Sequence, residues 1–135
     1  MKTLTTAFTA ALLAAALQAN AATLPQPKTE NGVAYLNGGV GQDEAAAMKA
    51  QAKNYPMSMI FSAGKENEFV LDVKLTIKDM GGKEILSTAA GPIMLVKLPA
   101  GTYAVAADRN GTTLHRTVHV GTKDHRQIVF HWPQA

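Results

Sequence analysis

The run F-V-L-D-V-K-L-T-I-K-D, from Phe69 to Asp79, decides the fold class of this chain. Large apolar side chains occupy every second position of the run: Phe69, Leu71, Val73, Leu75 and Ile77. Most of the positions between them are polar or charged. A period of two is typical of a β-strand that has one face in a core and the other in water. The pattern therefore predicts one long strand at 69–78, with the apolar residues from Leu71 onwards buried.

Further strand-like runs surround this stretch and are separated by glycine-containing turns. They lie at 57–61, 84–88, 93–98, 103–107, 112–120 and 127–132. The clearest turns are Gly81-Gly82 and Asn110-Gly111, and Asn-Gly suits the positive φ angles of a type I′ hairpin. Strands that recur about every ten residues with such turns between them are typical of a sandwich and not of βαβ units. The sequence therefore predicts a mainly β protein, a seven-stranded antiparallel β-sandwich.

One short N-terminal helix is also predicted, at about 42–54. Its sequence, Q-D-E-A-A-A-M-K-A-Q-A-K-N, is rich in alanine and carries acidic residues near its start and lysines near its end. Both features favour a helix. Ala45, Met48 and Ala52 share one face at helical spacing, so we expect this face to pack on the sheet.

The beginning of the chain has the order of features found in a cleavable signal peptide. Lys2 supplies a positive charge, an uncharged and mostly apolar run follows at 7–17, and Ala19-Asn20-Ala21 matches a small-x-small cleavage site. The chain then divides into three predicted segments: a signal peptide (1–21), an extended lead-in (22–32) and a single β-sandwich domain (33–135). The expected location is the periplasm, and secretion beyond it stays open.

The composition narrows the class of partner. The chain has 13 basic and 10 acidic residues, a net charge of +3, and no cysteine. A balance this close to neutral gives no electrostatic reason to expect binding to nucleic acid or to an anionic membrane. Without cysteine there is no disulfide, no thiol nucleophile and no lipid-bearing cysteine. We therefore expect no membrane insertion after signal cleavage, and a protein or glycan partner in the cell envelope.

The segment from Val73 to Val120 resembles the carboxypeptidase regulatory-like domain of the transthyretin-like (prealbumin-like) superfamily. The resemblance is carried by the Gly-Gly hairpin at 81–82, the run G-x-x-x-L-x-x-L-P-x-G-x-Y at 91–103, and the Asn-Gly hairpin after it. The stretch G-G-V-G-Q-D-E at 38–44 and the late His-Trp pair look like a group of small exported bacterial proteins. The resemblance implies a seven-stranded sandwich that accompanies, stabilises or presents rather than catalyses.

The same superfamily includes an enzyme branch, the hydroxyisourate hydrolases. Their C-terminal Y-R-G-S is absent, since this chain has F-H-W-P-Q-A there. Ser58, Ser62 and Ser87 have no G-x-S-x-G elbow or recognisable triad context. No catalytic residue and no cofactor are therefore predicted, and the favoured function is a non-catalytic periplasmic binding or structural module. A small hydrolase of the hydroxyisourate type with an atypical site is the alternative.

Histidines suggest a further alternative, which is weak metal binding. If the last two strands form a hairpin around a loop at 121–125, His115 faces His131 across it, with Cβ atoms about 5 Å apart. A zinc site needs three or four protein ligands, so these two histidines alone are too few to predict a metal site. In the same register Arg116 falls on the inward side. That predicts either an edge position from which its side chain reaches solvent or a β-bulge.

The glycine-rich turn before the helix is the predicted contact surface, together with one aromatic residue. Glycines ahead of a helix can bring backbone N–H groups to a phosphate. However, this turn lacks the Lys-Ser/Thr of a P-loop, and Asp43-Glu44 would repel an anion. A contact surface without a phosphate is therefore predicted at Tyr35, Gly38, Gly39 and Gly41.

Overall fold

Two β-sheets and one α-helix form the part of the chain that the computed structural model describes, residues 24–135. The strands are β1 (Lys28–Glu30), β2 (Val33–Gly38), β3 (Met57–Ala63), β4 (Glu68–Phe69), β5 (Val73–Asp79), β6 (Glu84–Ala90), β7 (Ile93–Val96), β8 (Gly101–Arg109), β9 (Thr112–Val120) and β10 (Arg126–Trp132). Helix α1 (Gln42–Gln51) continues into a 3-10 turn at Ala52–Asn54. The predicted signal peptide, 1–21, lies outside the described residues.

Sheet A has the strand order β1-β2-β7-β3-β10, with β4 also paired to β3, and sheet B has the order β6-β5-β8-β9. Every neighbouring pair is antiparallel except β3 and β10, which are parallel. The prediction of a mainly β protein with one short N-terminal helix is confirmed. The expected seven antiparallel strands differ from what is found, because residues 24–135 form ten strands and include a parallel pair.

The inner faces of the two sheets pack against each other in a sandwich-like arrangement. The residues packed there include Met57, Met59, Phe61, Phe130 and Trp132 from sheet A, and Val73, Leu75, Ile77, Leu86 and Val105 from sheet B. The rings of Phe61 and Phe130, on neighbouring strands, stack with their centroids 5.6 Å apart. Removal of these apolar faces from water is the main driving force for folding.

The stretch at 69–78 is two strands and not one. Asp72 has a φ angle of 58°, in the left-handed region, so the alternation breaks there. Phe69 pairs with Ser62 in sheet A, whereas Val73 begins β5 in sheet B, and the chain crosses between the sheets. Val73, Leu75 and Ile77 are buried as predicted, but Leu71 is 49% exposed because it lies in this crossing.

The predicted hairpin of the last two strands is wrong. Strand β9 lies at the edge of sheet B, while β10 lies in sheet A and runs parallel to β3. The N–H of Arg126 donates to the carbonyl of Pro56 (2.8 Å) at the start of this pairing. In that position Phe130 and Trp132 fill the inner face of sheet A.

Of the two predictions for Arg116, an edge position or a β-bulge, the structure has the edge position. The register between β8 and β9 is continuous, and Arg116 pairs with Val105, whose side chain points into the core. Because β9 is an edge strand, the Arg116 side chain is exposed, and its guanidinium lies 5.5 Å from the centre of the Phe130 ring. A cation over an aromatic face is a favourable contact for such a side chain.

The predicted lead-in, 22–32, contains a strand. Within it, β1 pairs with β2 through a turn at Asn31-Gly32, whose φ angles are 51° and 77°. These values fit a type I′ hairpin, the same turn that joins β8 to β9 at Asn110-Gly111. The side-chain amide of Asn31 also donates to the carbonyl of Ile85 (2.8 Å), which ties this hairpin to sheet B.

Helix α1 covers only part of the outer face of sheet A. Ala45 and Met48 are buried against Leu36, Ile93 and Leu95 of strands β2 and β7, and Ala52 packs beside them. The predicted helical face is therefore confirmed. No helix within residues 24–135 has both the length and the apolar character needed to cross a membrane. The outer faces of β3, β4 and β10 extend beyond the helix.

Candidate functional site

The outer surface of strands β3, β4 and β10 is the candidate site, and we call it the open face. Strand register places its side chains in rows: Gln127 beside Ser58, Val129 beside Ile60, and both His131 and Phe69 beside Ser62. The two large apolar members at its borders are exposed, Val129 by 47% and Phe69 by 41%. Exposed apolar side chains grouped on one face are typical of an interaction surface.

Two buried serines on the open face are each hydrogen-bonded to a histidine. Ser58 and Ser62 are the buried polar residues of the chain within 24–135. Ser58 Oγ lies 3.1 Å from His125 Nε2, and Ser62 Oγ lies 3.0 Å from His131 Nδ1. Four residues apart on a strand, the serines share one face but are separated by about 13 Å. They therefore form two separate pairs.

The ring of His125 has a defined orientation. Its Nδ1 lies 2.6 Å from the carbonyl oxygen of Tyr55. A carbonyl can only accept a hydrogen bond, so Nδ1 carries the proton in the neutral ring and Nε2 is the acceptor. The hydroxyl of Ser58 consequently donates to His125, and the three groups form a hydrogen-bonded chain from hydroxyl to imidazole to carbonyl.

A cavity of about 320 Å³ lies between α1 and the open face. Its walls are mainly apolar, and its lining residues are Lys49, Ala52, Ser58, Ile60, Ile93, Leu95 and Gln127. Ser58 is the only hydroxyl among them, and Lys49 and Gln127 are the only other polar side chains. Ser58 therefore lines a cavity although only 3% of its surface is exposed.

A second cavity, the Phe69 groove, has a volume of about 430 Å³ and lies at the N-terminal end of α1. It is lined by Gly39, Gly41, Gln42, Ala45, Ala46, Lys49 and Phe69. The ammonium of Lys49 lies 5.4 Å from the centre of the Phe69 ring, a cation–π contact. Lys49 lines both cavities, and the groove adjoins the open face because Phe69 belongs to both. Val40, 59% exposed, lies between two of the glycines that line the groove.

The glycine-rich turn has a structural reason for its composition. Gly39 has a φ angle of 99°, and an added Cβ would come within 3.0 Å of the Ile93 side chain. Its N–H donates to Glu44 Oε1 (2.9 Å). A carboxylate of the chain itself thus occupies the amide that a phosphate cradle would use. Gly39 and Gly41 line the groove and Gly38 does not, and both Gly38 and Gly39 are buried.

Other predicted site residues lie elsewhere. Tyr35 is 6% exposed and belongs to the core, so its ring is not on a surface. His115 is on the outer face of sheet B, beside Lys78 in a shallow cavity of about 490 Å³, and His131 is on the outer face of sheet A. The structure does not bring these histidines together. Among residues 24–135, no cluster of three or more histidines and acidic residues is placed to hold a metal.

Sequence reasoning did not identify His125, Phe69 or Ser58 as members of one site. Ser58 and His125 are 67 residues apart in the sequence, and they come together because β10 pairs in parallel with β3. One local signal was present: serine at alternate outward positions of the apolar run M-S-M-I-F-S-A. A scan against models of known protein families and a search of curated proteins both found no match to this chain.

Proposed function

We propose that the protein is a non-catalytic binding module of the bacterial cell envelope, which holds an apolar segment of a partner protein against the open face and the Phe69 groove. In this proposal residues 1–21 direct export, and the protein acts in the periplasm, with secretion beyond it open. One observation carries it: Phe69 and Val129 are exposed on the part of sheet A that α1 leaves uncovered.

The lining of the Phe69 groove favours a protein segment over a glycan. Two of its seven lining residues, Gln42 and Lys49, have polar side chains, and Lys49 already lies over the Phe69 ring. Sugar recognition needs several directed hydrogen bonds, whereas an apolar side chain needs a complementary cavity that excludes water. A groove with glycine and alanine walls and one aromatic side meets the second requirement.

The family resemblance supports the same function. Two packed sheets with a hairpin at Gly81-Gly82 and another at Asn110-Gly111 are features that a carboxypeptidase regulatory-like, prealbumin-like sandwich would have. Such a domain accompanies or presents other groups. Since the Y-R-G-S of the hydroxyisourate hydrolases is absent, we expect no loss of ultraviolet absorbance when purified protein is mixed with hydroxyisourate beyond the uncatalysed rate.

Photo-crosslinking in the periplasm tests the docking surface. A benzoylphenylalanine probe at Val129 should crosslink a discrete partner protein, and the same probe at Thr117, on the outer face of sheet B, should not. Phe69→Asp should abolish the crosslink because it places a charge in the apolar groove. Met80→Asp is the matched control, since Met80 is also an exposed apolar residue (66%) but lies in the β5–β6 turn.

Circular dichroism of both aspartate variants should match the parent, because both side chains are exposed. Equal crosslinking from Val129 and Thr117, or a crosslink that survives Phe69→Asp, would show that the open face is not the docking surface.

A further inference from the structure

Ser58, His125 and the carbonyl of Tyr55 have the three-part arrangement of an activated nucleophile. Ser58 Oγ lies within hydrogen-bond reach of His125 Nε2 at 3.1 Å, and the Tyr55 carbonyl holds the other ring nitrogen at 2.6 Å. In this arrangement the hydroxyl is the nucleophile, the imidazole is the base, and the third group fixes the tautomer of the base. The same hydrogen bond would also be expected if Ser58 were purely structural, because a buried hydroxyl needs a hydrogen-bond partner.

The cavity beside Ser58 favours a chemical role for this serine over a purely structural one. Ser58 is only 3% exposed, yet it is one of the residues that line the 320 Å³ cavity. Ile60, Ile93 and Leu95 provide an apolar wall for a short acyl chain. Lys49 and Gln127 also line this cavity, and both side chains carry N–H groups of the kind that donate to an oxyanion.

We propose that Ser58 is an activated nucleophile which accepts an acyl group from a small ester bound in this cavity. Ser58 Oγ bonds to the carbonyl carbon of the ester while its proton passes to His125 Nε2. The ester C–O bond then breaks, and His125 returns the proton to the departing alkoxide. The products are one acyl-serine and one alcohol, and no oxidant or reductant is needed. The reaction is stoichiometric and goes beyond the docking function proposed above.

The second serine provides an internal comparison. Ser62 is as buried as Ser58 and is also bonded to an imidazole, but through Nδ1 of His131. It does not line the cavity that Ser58 shares with Lys49 and Gln127. Ser58 should therefore be acylated and Ser62 should not, although the two serines are buried to nearly the same extent.

The direct test is incubation of the full chain with p-nitrophenyl acetate, followed by peptide mass spectrometry and measurement of p-nitrophenolate. We expect one acetyl group per chain at Ser58 and an equal amount of p-nitrophenolate. Ser58→Ala should abolish that modification, and His125→Gln should slow it about a hundredfold, the usual contribution of a general base. Ser62→Ala and His131→Gln should leave it unchanged. Acetylation confined to lysines, or equal at both serines, would overturn the proposal.

A second readout does not depend on the survival of the Ser58→Ala fold. Because the chain has no cysteine, Ser58→Cys introduces a unique thiol. Its alkylation by iodoacetamide should be at least tenfold faster than that of Ser62→Cys, and adding His125→Gln should remove the difference, since the base that forms the thiolate is lost. Equal rates for the two thiols, or a rate that His125→Gln does not change, would mean that His125 only satisfies a buried hydroxyl.

Discussion

At the residue scale, Leu71 and Leu75 show how strongly one backbone angle decides burial. They share a parity in the sequence, but Asp72 breaks the strand between them, so Leu75 is fully buried while Leu71 is half exposed. We predict that Leu75→Ala lowers the free energy of unfolding by about 2–5 kcal/mol through lost transfer energy and the cavity that remains. Leu71→Ala should cost less than about 1 kcal/mol.

Urea unfolding followed by the fluorescence of Trp132 measures both effects. Trp132 is the single tryptophan of the chain, and its Nε1–H donates to the carbonyl of Thr112 (2.9 Å), so it reports on the contact between the sheets. Similar losses in the two variants would contradict the break at Asp72.

Ionisation of Tyr103 should make the free energy of unfolding depend on pH in the alkaline range. Burial raises the pKa of Tyr103 above its usual value of 10.0, and the negative charge of Asp79 adds to the effect. The unfolded chain therefore loses this proton first, and the free energy of unfolding should fall as pH rises from about 10 towards the raised pKa. Below pH 10 this contribution is fully present.

Unfolding of the parent and of Tyr103→Phe at about pH 8 and about pH 11 checks this prediction. The variant loses the hydrogen bond from the Tyr103 hydroxyl to the Pro99 carbonyl (2.7 Å), about 1 kcal/mol, at pH 8. Its further loss between the two pH values should be smaller than that of the parent. An identical pH dependence would exclude Tyr103 as the source.

At the element scale, the alternation and the turn residues predicted most strands, but not their sheets. The bounds of β9 and the helical face of Met48 follow from local patterns. The pairing of β10 with β3 does not, because both the antiparallel hairpin and the parallel pair bury Phe130 and Trp132. The site was missed for the same reason, because Ser58 lies next to His125 only when β10 pairs with β3. By contrast, Asn31-Gly32 carried a hairpin signal that a proline-rich context obscured.

Engineered disulfides distinguish the two arrangements of β10. Ile60 and Val129 are register partners on the open face, so Ile60→Cys combined with Val129→Cys should oxidise to an intramolecular disulfide, since neighbouring strands bring Cα atoms to a suitable distance. His115→Cys combined with His131→Cys is the control that the antiparallel hairpin would have closed. Electrophoretic mobility without reductant reports both, and a disulfide in the second pair alone would reverse the assignment.

At the scale of the whole molecule, the two sheets present different outer surfaces. Sheet A carries the helix, both cavities next to it and the Ser–His pairs, whereas the outer face of sheet B carries His115 and His119. Because His115 and His131 lie on opposite sides, we predict that they bind zinc independently and weakly. In an NMR titration with Zn²⁺, His115→Gln should leave the His131 response unchanged. Loss of that response would indicate a shared ion.

The parallel pairing of β10 also has a consequence for the order in which the protein can form. Strand β10 is synthesised late, roughly 70 residues after the β3 strand that it accompanies along its whole length. Until it emerges, Phe61 lacks its stacking partner and one side of β3 has no neighbour. Unpaired strand edges attract other chains, and non-local pairing is slow. A newly made chain therefore passes through an aggregation-prone interval, which ends only when this late strand has paired with β3.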